Sequence, residues 1–345
     1  MSERNVTTIG IDTAKNVFHL HAIDKKGKAV FQRKLERAKL LVFLANQPAC
    51  TIAIESCSGS YHWAREFKRL GHTVKIISAR HVKKFANTRN KNDFNDAKAI
   101  VKAALDPDIP EVAHKSIQQQ EIQAIHTIRD GFIRQRTATI NRLRALLTEF
   151  GIVIPLGRKK LMKQIPIILE NNNNALTEVV RQIAHEQYEV IQYVSQEISK
   201  YDKRIQGYAK HSEKAQRLQQ IPGVGPVIST ALTYMIADPT VYKNGRQCAA
   251  SLGLTPKEHS TGGKQRLGGI SAEGNSYLRK ILVQGAQSIM QRAGKRQNEP
   301  LMKWAYKLKM NKCSNVAAVA LANKITRIAW AMLVNQSEFA YKQAI

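Results

Sequence analysis

Two short apolar runs, each closed by a carboxylate, constrain this chain more than any other feature. Asp12 ends the run in Thr8-Ile9-Gly10-Ile11-Asp12-Thr13, and Glu55 ends the run in Thr51-Ile52-Ala53-Ile54-Glu55-Ser56. Short uninterrupted runs of this kind read as buried strands, so each delivers an acid at or near its C-terminal end. Asp93 and Asp96 follow in Asn90-Lys91-Asn92-Asp93-Phe94-Asn95-Asp96-Ala97. They stand three apart at the expected start of a helix, a spacing that aims both the same way. With 54 Lys and Arg against 26 Asp and Glu, a formal charge of +28, the chain has little other reason to gather carboxylates. Concentrated negative charge inside a basic protein is what a Mg²⁺ site acting on phosphodiesters requires.

The basic residues run along the whole chain rather than forming one tail. That distribution suits contact with a nucleic-acid backbone over a long path; the bland alternative is a generic basic, soluble protein. A length of 345 residues suggests two or three domains, with ample chain to bury a core. Cys50, Cys57, Cys248 and Cys313 form no Cys-x-x-Cys pair, fit a reducing compartment and are expected to pack as small apolar residues. The first strand starts almost at the N-terminus, which leaves no room for a signal peptide. The apolar stretch 316–334 is broken by Lys324 and Arg327, so it reads as a core or interface helix and not a membrane span. The expectation is a cytoplasmic protein without a membrane partner.

The fold expected is α/β followed by a mainly α remainder. Residues 6–12, 17–24 and 28–34 read as three tightly connected strands, an antiparallel meander. A helix (38–46), a strand (50–56), a helix (61–70), a strand (73–78) and the helix of Asp93 and Asp96 follow. That order is the order of the ribonuclease-H-like fold, and it assigns residues 1–110 to a catalytic domain. Residues 111–215 read as a helical and coiled-coil region. Within it, 116–150 carries Arg129, Arg134, Arg136, Arg142 and Arg144, either a solvated face or a nucleic-acid contact. Val180, Ala184, Gln187, Ile191, Val194, Ile198, Tyr201, Ile205 and Tyr208 keep alternating four- and three-residue spacing, a heptad stripe. The stripe fits either an internal antiparallel helix pair or a dimerisation arm.

Residues 216–345 form the third expected region. Ile221-Pro222-Gly223-Val224-Gly225-Pro226 resembles the turn of a helix-hairpin-helix element, in which Gly223 and Gly225 would let backbone N–H groups approach a phosphate. A plain interhelical turn would use similar residues. Further on, Ser260-Thr261-Gly262-Gly263-Lys264 is followed by Arg266 and by the pair Arg279-Lys280. A hydroxyl here could be a nucleophile, glycines could crowd a phosphate, and the cations could stabilise a phosphoryl transition state. Ser and Thr also cap ordinary turns, and His259 could be a proton shuttle or a structural residue.

Taken together, these residues resemble one family, the insertion-sequence transposases of the one-ten family and especially its eleven-eleven branch. The landmarks are Gly10-Ile11-Asp12-Thr13-Ala14-Lys15, Ile54-Glu55-Ser56-Cys57-Ser58-Gly59-Ser60, and the Asn90 to Ala97 element. The Pro-Gly-Val-Gly turn, the Gly253-Leu254-Thr255-Pro256 block with its Gly-Gly pair, and Ala322 to Trp330 complete them. The resemblance covers essentially the whole chain. It implies a RuvC-like domain whose Asp12, Glu55, Asp93 and Asp96 bind Mg²⁺, and a C-terminal transposase domain supplying a serine nucleophile. It also implies a structured non-coding bridge RNA that selects donor and target DNA, and a homo-oligomer, dimer or tetramer. Where many relatives have two serines this chain has Ser260-Thr261; Ser260 is the choice for nucleophile because a primary hydroxyl is less crowded, with Thr261 the alternative. Two rival readings use the same residues differently: a Holliday-junction resolvase attacking with water, and a non-enzymatic architectural nucleic-acid binder.

Overall fold

A computed structural model describes residues 5–86 and 92–340; Asn90 and Lys91 of the Asn90–Ala97 element lie outside the described residues. The chain divides into two compact units, residues 1–116 and 117–345, the second taking in both the long helices and everything after them.

The first unit is built on a sheet. Strands β1 (Thr8–Thr13), β2 (Val17–Ile23) and β3 (Ala29–Glu36) form an antiparallel meander, as their tight connections require. Helix α1 (Arg37–Ala45), β4 (Thr51–Glu55), α2 (Ser60–Arg69), β5 (Thr73–Ile77), α3 (Ala79–Lys83) and α4 (Asp93–Leu105) follow. The strand order is β3-β2-β1-β4-β5, with β4 parallel to both β1 and β5. Alternation sends successive side chains to opposite faces. Ile9, Ile11, Phe18, Leu20, Ile52, Ile54 and Ile76 pack with Leu40, Leu44, Trp63 and Phe67 of α1 and α2. Ala53 and Ile77 face the other way, into a small core with Val82, Ala99, Ile100 and Ala103. That second face also carries Gly10, where a Cβ would lie 2.4 Å from the carbonyl oxygen of Ala97 and 2.5 Å from Val101. Glycine at this position is what lets α4 lie directly on β1.

The second unit begins with α5 (Ile117–Glu149), α6 (Arg158–Glu170) and α7 (Glu178–His211). Helices α5 and α7 run antiparallel: Arg129 Nε donates to Asp202 at 2.6 Å, and Arg136 reaches Ser195 at 3.5 Å. The heptad stripe is the seam of this pair. Ala184, Ile191, Val194, Ile198 and Ile205 are all buried inside the chain, with Ile140, Leu143 and Leu147 of α5 in the same core as Ala184 and Ile191. The internal antiparallel pair is thus the arrangement within the chain, while Val180, Tyr201 and Tyr208 of the stripe stay half-buried. The arginine face of α5 is likewise engaged, with Arg134 against Asp130 at 3.5 Å, Arg142 donating to Thr139, and Arg144 donating to the carbonyls of Pro155 and Gly157.

Helices α8 (Glu213–Gln219), α9 (Pro226–Met235) and α10 (Gly245–Ser251) lead to a two-stranded hairpin, β6 (Pro256–Glu258) and β7 (Leu267–Ile270). Helices α11 (Ser276–Arg292), α12 (Pro300–Asn311) and α13 (Ser314–Asn335) close the unit. Helix α13 is long and apolar enough to cross a membrane by length and composition, yet half of its apolar stretch is buried inside the protein. Ala317, Leu321, Ile325 and Ala329 sit in the core with α9 and α11, and Lys324 lies over the Trp304 ring at 4.7 Å. A buried polar chain ties α5, α9 and α11 together. Thr230 donates to the Pro226 carbonyl at 2.7 Å, so it accepts from His126 Nε2 at 2.9 Å, and His126 Nδ1 accepts from the Tyr277 hydroxyl at 2.8 Å. Burial holds His126 neutral, its pKa pushed down to about 4. Of the four cysteines, only Cys50 and Cys248 pack as small buried residues; Cys57 and Cys313 are exposed.

Candidate functional site

The register of β1 assembles the carboxylates. Gly10 pairs with Ala53 and Ile11 with Ile54 in the parallel β1–β4 ladder, so Asp12 and Glu55 follow on the same face at the C-terminal ends of adjacent strands. That face is the one α4 covers. Asn92 caps α4, its side chain accepting from Phe94 N at 2.8 Å and Asn95 N at 3.1 Å, which starts the helix at Asp93. Gly10 lets the helix come close, and the first turn brings Asp93 and Asp96 to the strand ends. Electrostatics register the gathering. Burial raises the pKa of Asp12, and Asp96 and Asp93 raise it further while His19 opposes them. Burial also raises that of Glu55, with Asp12 and Asp96 adding to it. Each of the four acids thus feels at least one other.

A fifth residue joins them that the motif reading missed. His19 is the antiparallel partner of Asp12, so both side chains leave the same face. Its Nδ1 lies 3.4 Å from Asp93, and its ring meets Phe94 edge-on at 4.9 Å between centroids. Donor atoms of Asp12, His19 and Asp93 all fall within 4.8 Å of one another. Acids crowded enough that neighbours raise the pKa of Asp12 and of Glu55, with an imidazole nitrogen beside them, fit a divalent cation. The alternation of His19 and His21 with Phe18, Leu20 and Ala22 was the available signal, but it names a face only once β2 is paired with β1.

In the second unit, Ser260 stands on the hairpin just before its turn. Gly262 (φ 58°) and Gly263 (φ 75°) both take left-handed conformations, and Lys264 N donates to Thr261 O at 3.1 Å. This is a two-residue hairpin turn with positive φ at both central positions, which favours glycine. The Ser260 hydroxyl donates to Glu258 Oε1 at 2.5 Å and accepts from the Arg266 backbone N–H at 3.2 Å. No hydrogen bond of the Thr261 hydroxyl occurs among the described residues.

The residues expected to touch nucleic acid separate into two groups. Arg279 spends its guanidinium on the carbonyls of Leu252 (3.0 Å) and Glu273 (2.7 Å), closing the base of the hairpin loop. Lys280 pairs with Asp130 and lies over the Tyr277 ring at 5.3 Å. Gly223 has φ 79°, and a Cβ there would meet Ile289 at 2.5 Å, so the close approach of α11 accounts for that glycine. In this arrangement Arg279 and Lys280 already hold protein partners, and Gly223 has a packing reason of its own. Lys264 and Arg266 differ: no ion pair or side-chain hydrogen bond holds either head among the described residues. Gly225 caps α9 with open space where its Cβ would be, leaving that helix N-terminus uncovered.

A strongly basic chain with an acidic cluster at parallel strand ends has the make-up of an enzyme that acts on nucleic acid. Residues 9–152 match the DEDD transposase family of the IS110 type, and residues 215–302 match the family described as Transposase IS116/IS110/IS902. The chain is 36% identical to a probable family 20 transposase of Pseudomonas aeruginosa over 96% of its own length and 98% of the relative's. It is 37% identical to the transposase for insertion sequence element IS1328 of Yersinia enterocolitica (97% and 99% covered). It is 35% identical to that for IS1111A of Coxiella burnetii (98% and 92% covered). The chain belongs to the IS110/IS116/IS902 family of insertion-sequence transposases, enzymes that cleave and rejoin DNA.

Proposed function

We propose that this transposase joins and exchanges DNA strands with two chemical groups, the acidic centre of the first unit and the Ser260 hydroxyl of the second. Asp12, Glu55, Asp93 and Asp96, with His19 beside them, would hold Mg²⁺, which when bound neutralises phosphate charge and polarises the scissile phosphodiester. The observation that carries this reading is the convergence of the four acids on one sheet face, with Asp12 and Glu55 both held above the usual carboxylate range. The meander followed by parallel strands supports a RuvC-like, ribonuclease-H-like first domain. Ser260 attacks the phosphodiester, and the energy of the broken bond is kept in a phosphoserine ester. The freed 3′-hydroxyl of an exchanged strand then reseals it. No ATP is required, and the chain has no phosphate-loop motif.

In the same reading, a structured bridge RNA selects donor and target, and the protein works as a dimer or tetramer on the nucleoid in the cytoplasm. Since α5 fills the seam of α7, oligomers would use other surfaces. Lys264 and Arg266, whose heads hold no ion pair or side-chain hydrogen bond among the described residues, would face the DNA backbone. Asp93→Asn tests the acidic centre: strand cleavage of a plasmid carrying the element with its flanks should vanish, while DNA binding persists. Full cleavage by this variant, or by wild type in EDTA, removes the metal reading. Cleavage without a covalent protein–DNA adduct favours the resolvase, and transposition that survives loss of all four acids favours the architectural binder.

A further inference from the structure

The Ser260 hydroxyl has one hydrogen to donate and two lone pairs to offer. Its hydrogen goes to Glu258 Oε1 at 2.5 Å, and one lone pair takes the Arg266 backbone N–H at 3.2 Å. One lone pair is left over. The backbone sets this up: Glu258 closes β6, and Ser260 follows two residues on, next to the Thr261–Lys264 bridge of the turn, which brings the two side chains together. Glu258 is itself fixed by its pairing with Leu267, and the His259 N–H donates across the hairpin to Arg266 O at 2.9 Å. The two-glycine turn then holds the strands in register. A short hydroxyl–carboxylate contact with a backbone donor on the other side is a geometry that activates a nucleophile.

We infer that Glu258 is the general base that activates Ser260, a step that rests on the reading of Ser260 as nucleophile. In the forward step the Oγ–H proton passes to Glu258 Oε1 as the Oγ–P bond forms. The P–O3′ bond breaks, and the departing O3′ takes a proton from water. In resealing, an incoming 3′-hydroxyl loses its proton to solvent, the new O3′–P bond forms, and the Oγ–P bond breaks. The proton stored on Glu258 returns to Oγ, so one carboxylate serves both directions. The residue therefore acts as base in cleavage and as acid in joining, as microscopic reversibility demands.

A fluorophosphonate is the probe, because it phosphonylates an activated serine without DNA, RNA or a cation. With the purified full-length chain, the peptide containing Ser260 should be labelled, and Glu258→Gln should slow that labelling about 100-fold, the lower end of what a positioned base contributes. Glu258→Asp keeps a carboxylate on a shorter stem and should recover part of the rate; Ser260→Ala should not label there. Equal labelling in wild type and Glu258→Gln, or none at Ser260 in wild type, overturns the base assignment. The nucleophile itself is read separately, by recovering protein–DNA adducts under denaturing conditions from cells carrying this gene with its flanking DNA. Absence of a Ser260-linked adduct in wild type overturns the nucleophile reading, whatever the fluorophosphonate result. A Ser260 adduct whose yield is unchanged in Glu258→Gln overturns the base alone.

Discussion

At the scale of single residues, the acidic centre depends on an atom that is missing. A methyl group on Gly10 would collide with the Ala97 carbonyl and with Val101, so Gly10→Ala must push α4, with Asp93 and Asp96, away from Asp12. Overpacking of this kind costs about 1–3 kcal/mol; the variant should melt lower and lose cleavage together, as a thermal scan and a nicking assay would register. Unchanged activity would mean that the acids need not converge. His126 gives the second residue-scale prediction. Its folded pKa of about 4 lies below the ordinary histidine value of 6.5, so the unfolded chain binds the extra proton first. The stability tied to keeping it neutral is fully present above about pH 6.5 and is lost as pH falls toward 4, up to about 3 kcal/mol. His126→Gln has no such proton to gain and should flatten that part of a denaturation-versus-pH profile. A wild-type profile already flat from pH 7 to 4 would count against the buried neutral imidazole.

At the scale of elements, the heptad stripe of α7 shows what spacing can and cannot say. Its period correctly marks a helix with one apolar seam, but the same period serves an internal partner and a second chain alike. The chain's own α5 packs along it, and Ile191, Val194 and Ile198 are buried. Ile198→Ala should therefore cost about 2–5 kcal/mol of folding stability, the usual range for truncating a buried Ile, measured by urea titration at several protein concentrations. A loss that grows on dilution would instead place the seam between chains. The serine hairpin carries a similar lesson. Gly262 and Gly263 are legible as a flexible stretch, whereas the structure uses both as the left-handed corner of a two-residue turn.

At the scale of the whole molecule, the charge of +28 on a transposase makes DNA binding an ion-exchange reaction. Each neutralised phosphate releases condensed counterions. Affinity for duplex DNA should fall about 10³–10⁵-fold between 50 and 200 mM salt, if roughly six to ten phosphates are contacted. A flat salt response in a filter-binding series would show that the charge serves solubility. Lys264→Ala and Arg266→Ala should each reduce the slope by about one, and Lys280→Ala should not, because its charge is spent on Asp130.

The five strands of the first unit, their order along the chain, the strand-end positions of Asp12 and Glu55 and the i, i+3 pair Asp93 and Asp96 were all readable beforehand. They depend on local rules: runs of apolar residues and a helical repeat. The transposase family was readable as well, because its landmarks occur in order along the chain. What needed the tertiary structure was every question of pairing. That His19 belongs beside Asp12 follows from strand register, and that Arg279 and Lys280 have partners within the protein follows from which carbonyls and acids lie nearby. That Gly10 exists to admit a helix, and that Glu258 meets Ser260, likewise depend on contacts in space. Residue types and spacing specify which groups a chain can offer. Only the folded backbone, by bringing distant or alternating positions onto one face, decides which of those groups are free to act and which are already bound to one another.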